Sequence, residues 1–171
     1  MHEVRAAGVP PEQIEAFAEQ VALFSRVVAV VYPALYVIFG ASIVLANAML
    51  LRLYLARRDP AWLGGNEFER VRWPFAMAVA FVLSGLAVLS PPLRPAAYNA
   101  LLLLAFFFAL QGLAVVAFYT RRLAAPALLR WAVLVLLLIN PWSPQILGLL
   151  GLFDIWFDFR KWAEPPPAAQ A

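Results

Sequence analysis

The chain has 171 residues, 64% hydrophobic and 13% charged, with a mean hydropathy of +0.80. A soluble domain is usually about half apolar and about a quarter charged, and a globule this small has too little interior to bury such a surface. The composition therefore excludes an ordinary soluble fold, and the absence of cysteine excludes disulfides, thiolate metal sites and cysteine nucleophiles.

Residues 1–25 carry Glu3, Glu12, Glu15 and Glu19, the opposite of the basic start of a secretory signal. After Pro10-Pro11, Ile14, Phe17, Ala18 and Val21 fall on one helical face, with the glutamates on the other. This predicts an acidic amphipathic helix as the lead-in to a membrane domain over 26–162.

Val27 to Leu51 is a run of 25 residues without charge. A spanning helix needs about 20, so this is the first predicted span, and Pro33 is a candidate kink. A charged loop follows from Arg52 to Arg72, broken at Gly64-Gly65. The second run, Trp73 to Leu93, stops at Ser90-Pro91-Pro92, and its Ala76, Ala80 and Ser84 form a small-residue stripe of the kind that lets helices approach. The third, Pro95 to Thr120, carries Gln111-Gly112 mid-span and closes on Arg121-Arg122. A glutamine amide at that depth needs a partner, either another helix or a ligand.

The last apolar stretch, Trp131 to Phe153, is interrupted by Asn140-Pro141-Trp142-Ser143-Pro144. Two prolines so close together make one straight helix untenable. It is either a kinked fourth span or a hairpin of two shorter helices. Arginine and lysine gather on the cytoplasmic side, and a hairpin splits the basic residues 10 to 3 between the two faces, against 8 to 5 for a single crossing. The hairpin is favoured, with the N-terminus outside. Residues 163–171, rich in proline and alanine, are expected to be a disordered tail.

Asp154, Asp158 and Lys161 share one helical face at i, i+4, i+7, among Phe153, Trp156 and Phe157. Such a segment reads either as an interfacial anchor or, if Asp154 lies deep in the membrane, as a functional site. No enzyme pattern fits. Gly151-Leu-Phe-Asp154 lacks the glycine that a membrane aspartyl protease carries before its aspartate. Ser84 has no membrane histidine to activate it, and no metal-ligand cluster or phosphate-cradling loop is present. The loop arginines are mixed with acids, as in topology signals and unlike a nucleic-acid surface.

The order of Phe68-Glu-Arg-x-Arg-Trp-Pro74, Tyr98-Asn99, Leu110-Gln111-Gly112, Phe118-Tyr119 and the closing Leu-Gly-Leu-Leu-Gly-Leu-Phe-Asp154…Phe-Asp-Phe-Arg160 resembles the C-terminal half of the YybS-like bacterial membrane proteins, over roughly residues 12–162. Most members of that family carry further spans ahead of this part. The resemblance implies no established activity. It does imply a distant likeness to the substrate-binding membrane subunits of energy-coupling-factor vitamin transporters.

The reading is therefore an all-α polytopic transmembrane helix bundle of the bacterial inner membrane, with three long spans and a Pro-broken C-terminal hairpin or kinked fourth span. It is non-enzymatic, without cofactor, metal or nucleic acid. The expected partners are the lipid bilayer and a second copy or membrane subunit. The function expected first is small-solute binding as a transporter-like subunit, with Gln111, Asn140 and Asp154 as binding residues and Asn99 and Arg160 behind them. The alternative is a structural or assembly protein without a solute site.

Overall fold

The computed structural model describes residues 10–59, 67–123 and 126–161. The first nine residues of the expected lead-in, the Gly64-Gly65 break, Trp162 and the expected tail lie outside the described residues.

The lead-in and the first charge-free run form one helix, α1 (Pro11–Ala56), with Pro11 at its first position, where the missing N–H removes no helical bond. Its 46 residues make a rod about 69 Å long. The helix runs through Pro33, and a side chain from elsewhere compensates beside it. The Asn99 amide accepts from the Ala34 N–H at 2.8 Å and donates to the Val30 carbonyl at 2.7 Å. Those two groups are each other's partners in an unbroken α-helix. Ala34 is buried, whereas most of α1 is exposed.

A 3-10 turn at Phe68–Arg70 leads into the non-helical stretch 71–74 and then α2 (Phe75–Ala87). The sequence predicted a full span over Trp73 to Leu93; the helix that forms has only 13 residues. Pro74 holds the chain extended up to its first turn, and Ser90-Pro91-Pro92 ends the run in a second 3-10 turn, Pro91–Leu93. At about 20 Å, α2 falls short of a hydrocarbon core about 30 Å thick. Of its small-residue stripe, Ala76 and Ala80 are exposed and Ser84 is half-buried, while Ala78 is buried and Phe81 meets Phe108 edge-on at 5.6 Å.

The long α3 (Arg94–Arg122) is the centre of the molecule, with α1, α2 and α5 all packed on it. The expected C-terminal break is real. α4 (Ala127–Ile139) and α5 (Ser143–Phe157) are separate helices. Between them the Trp142 N–H donates to the Asn140 side-chain oxygen at 2.9 Å and the Ser143 N–H to the Asn140 carbonyl at 3.1 Å. α3 and α5 cross where Phe108 and Gly112 meet Leu147 and Gly151, with Ala105 near Gly148 and Gln111 beside Asp154. α4 carries the chain back, and beyond the end of α5 the Phe159 carbonyl accepts from Tyr119 near the end of α3. The C-terminal residues thus return to the end where α3 finishes, the arrangement the charge bias favours.

Among the described residues no strand occurs, and two helical stretches are long and apolar enough to cross a membrane, Glu12–Ala56 and Pro91–Arg122. The expectation of three long spans is corrected to two long apolar helices, with the shorter α2 and α5 packed on α3.

Candidate functional site

α3 and α5 touch through glycine. A Cβ on Gly151 would overlap the Phe108 carbonyl oxygen, and one on Gly112 would overlap the Leu147 carbonyl. Backbones this close are the packing available to membrane helices, where small residues admit contact and lipid offers no hydrophobic gain. The approach places Gln111 opposite Asp154, and the Gln111 amide nitrogen donates to Asp154 Oδ2 at 2.9 Å.

Arg160 enters from beyond the helix. Asp158 takes a left-handed conformation, φ 44°, and its N–H donates to the Asp154 carbonyl at 2.9 Å, a helix-ending geometry usually given to glycine or asparagine. The chain reverses there, and the Phe159 N–H reaches Asp154 Oδ1 at 3.2 Å. Arg160 then points back along α5 and donates to Asp154 Oδ2 at 2.9 Å. The two side chains are 3% and 1% exposed, so this ion pair is shut away from solvent.

The remaining bonds go to the stretch before α2. From Val71 to Pro74 the backbone has neither helix nor ladder to satisfy it, and buried amide groups must be paired. Arg160 donates to the carbonyls of Glu69 and Val71, the latter at 2.8 Å. The Gln111 side-chain oxygen accepts the Trp73 N–H at 2.9 Å, and the Trp73 indole N–H donates to the Phe107 carbonyl at 2.8 Å. Three side chains therefore clamp Glu69 to Trp73, the end of the 3-10 turn and the non-helical stretch after it, to α3 and α5.

A more exposed ring surrounds this centre. Asp158 pairs with Arg72 at 2.6 Å and Lys161 at 3.0 Å, Arg121 meets Glu69 at 3.4 Å, and the Tyr119 hydroxyl donates to the Phe159 carbonyl at 2.6 Å. Burial pushes the Asp158 carboxyl up, but the hydrogen bonds and charges of Lys161 and Arg72 outweigh it and hold it below its ordinary range.

Of the five residues singled out in the sequence, Gln111, Asp154 and Arg160 meet in one buried cluster. Asn99 lies apart, bonded to α1. Asn140 is exposed and caps its own turn, so it joins no common site with the others. Trp73, Tyr119 and the backbone of Glu69 and Val71 belong to the cluster but escaped the sequence reading. The signal for Trp73 was the Trp-Pro pair, which ends helical hydrogen bonding and leaves an N–H in need of a partner.

The profile of a family described as a predicted membrane protein, DUF2232, matches residues 1–155. The chain belongs to that family. The DUF2232 match spans Asn99, Gln111, Asn140 and Asp154, and agrees with the composition in making this a membrane protein of an uncharacterised family. No curated protein and no solved structure matches the chain.

Proposed function

We propose that this DUF2232 protein is a non-enzymatic structural or assembly subunit of the bacterial inner membrane, whose polar cluster locks its own helices and whose outer helical faces meet a partner chain or a second copy. The supporting observation is the internal pairing of Asp154. Its Oδ2 accepts from Gln111 and Arg160 and its Oδ1 from the Phe159 N–H, while Gln111 also accepts the Trp73 N–H and Arg160 donates to the carbonyls of Glu69 and Val71, with only its buried Nε left without a partner among the described residues. A carboxylate that already accepts three hydrogen bonds from within the fold has little left to offer a solute.

The likeness to YybS-like proteins and to energy-coupling-factor subunits argues for the other reading, a solute held by Gln111, Asn140 and Asp154. That reading loses one of its three residues to a surface turn and requires Arg160 to release Asp154. The assembly reading also gives a use to α1, where Phe39 and Val44 are 68% and 67% exposed. Because the chain has no cysteine, Phe39→Cys and Val44→Cys introduce unique thiols. Oxidative cross-linking in intact membranes should give a discrete adduct from at least one of them. A chain that stays uncross-linked at both positions, and whose melting temperature rises with a vitamin-like solute in the wild type but not in Asp154→Asn, is a solute-binding subunit instead.

A further inference from the structure

The geometry points to a bound anionic phospholipid, its acyl chain in a groove between α3, α4 and α5 and its phosphate on Arg122. This inference does not depend on the assembly reading. The groove has a volume of about 500 Å³ and is lined by Val115 and Val116 from α3, Leu123 just past its end, Val133 from α4 and Leu150 from α5. That size lies within the range of about 300–1,000 Å³ common for small-molecule sites.

The lining includes two hydroxyls, Tyr119 and Thr120. Both are turned to backbone carbonyls, Tyr119 to Phe159 at 2.6 Å and Thr120 to Ala117 at 2.9 Å. The groove therefore presents carbon, and a polar solute would find no partner there. Its side is open, and in a membrane protein the molecules facing an open apolar side are lipid tails.

Charge selects which lipid. Leu123 and Thr120 flank Arg121-Arg122 in sequence. Arg121 meets Glu69, whereas Arg122 is exposed and has no ion pair among the described residues. Lys161 stands exposed at the same end of the bundle. An exposed arginine next in sequence to the lining residue Leu123 suits a phosphodiester: the guanidinium fork binds phosphate oxygens while the tail fills the slot.

The test uses the full chain purified in mild detergent and mixed with equal amounts of phosphatidylglycerol and phosphatidylcholine, with retained lipid read by native mass spectrometry. Phosphatidylglycerol should be kept in preference. Arg122→Gln, a surface change that leaves the fold intact, should lower that preference about fivefold, the effect of one basic residue at an anionic lipid surface. Val116→Trp and, from the opposite wall, Leu150→Trp should each displace both lipids from a protein that still elutes as one species with wild-type helical circular dichroism. Equal retention of the two lipids by the wild type overturns the proposal, as does an unchanged preference in Arg122→Gln. So do tryptophan variants that fold and keep their lipid, or a thermal stabilisation by inorganic phosphate that equals that of the lipid.

Discussion

Gly151 of α5 lies so close to α3 that an added Cβ would overlap the Phe108 carbonyl and stand 2.7 Å from the Gly112 nitrogen. Neither backbone can yield without moving its helix, so Gly151→Ala should separate α3 from α5 and pull Asp154 away from Gln111. The expected loss is at least the roughly 1–3 kcal/mol of an overpacked core, read as a lower melting temperature in detergent. Gly112→Ala should behave alike. Gly40→Ala and Gly85→Ala are the controls, since nothing lies within 4 Å of a Cβ at either position, and they should melt at or above the wild-type temperature.

Gln111→Leu keeps the volume and removes the amide. The Trp73 N–H loses its acceptor and Asp154 loses a donor, and a buried group left unpaired costs about 1–3 kcal/mol. Amide exchange at Trp73 should quicken in this variant while exchange in the middle of α3 stays slow, which separates release of the clamped stretch from general unfolding.

Asn99→Leu should destabilise the α1–α3 contact, because the Ala34 N–H and Val30 carbonyl both lose a side-chain partner. Asn140→Ala removes one exposed hydrogen bond inside a turn and should shift the melting temperature far less. The order of the two melting temperatures is the check.

These residues also show what was legible in the sequence. Gln111 and Asp154 stood out because a polar group in an apolar run demands a partner, but nothing local says that they partner each other across 43 positions. Asn140 stood out by the same criterion and is a turn cap, since asparagine before proline can satisfy the backbone two residues on. The run from Trp73 to Leu93 read as a span because absence of charge reports immersion, not helix length. Pro74 and Ser90-Pro91-Pro92 set that length, and they shorten α2 to 13 residues. The break at Asn140 and the return of the C-terminus were legible, because proline chemistry and charge bias act independently of tertiary contact. The long α1 was not, because amphipathic and apolar segments join without any helix-stopping residue between them.

Asp158 gives a pH dependence with a defined sign. Its carboxyl is held below the ordinary value of 3.8 by Lys161 and Arg72, against the upward pull of burial. A carboxylate with a depressed folded pKa contributes stability above its unfolded pKa and loses it as pH falls through the folded value. The wild type should therefore lose melting temperature on acidification below about pH 4 more steeply than Asp158→Asn, and the two curves should run parallel at neutral pH. Identical slopes below that pH would mean the pair with Arg72 and Lys161 does not hold in solution.

Asp154 and Arg160 form an internal lock, and a double-mutant cycle on thermal stability in detergent or nanodiscs is its test. Asp154→Leu and Arg160→Met each strand one buried charge, and each should lose about 3–5 kcal/mol. The double variant, with no charge left to strand, should lose clearly less than the sum of the two. Losses that simply add, or single variants as stable as the wild type, would contradict the lock and return Asp154 to the pool of residues available to a solute.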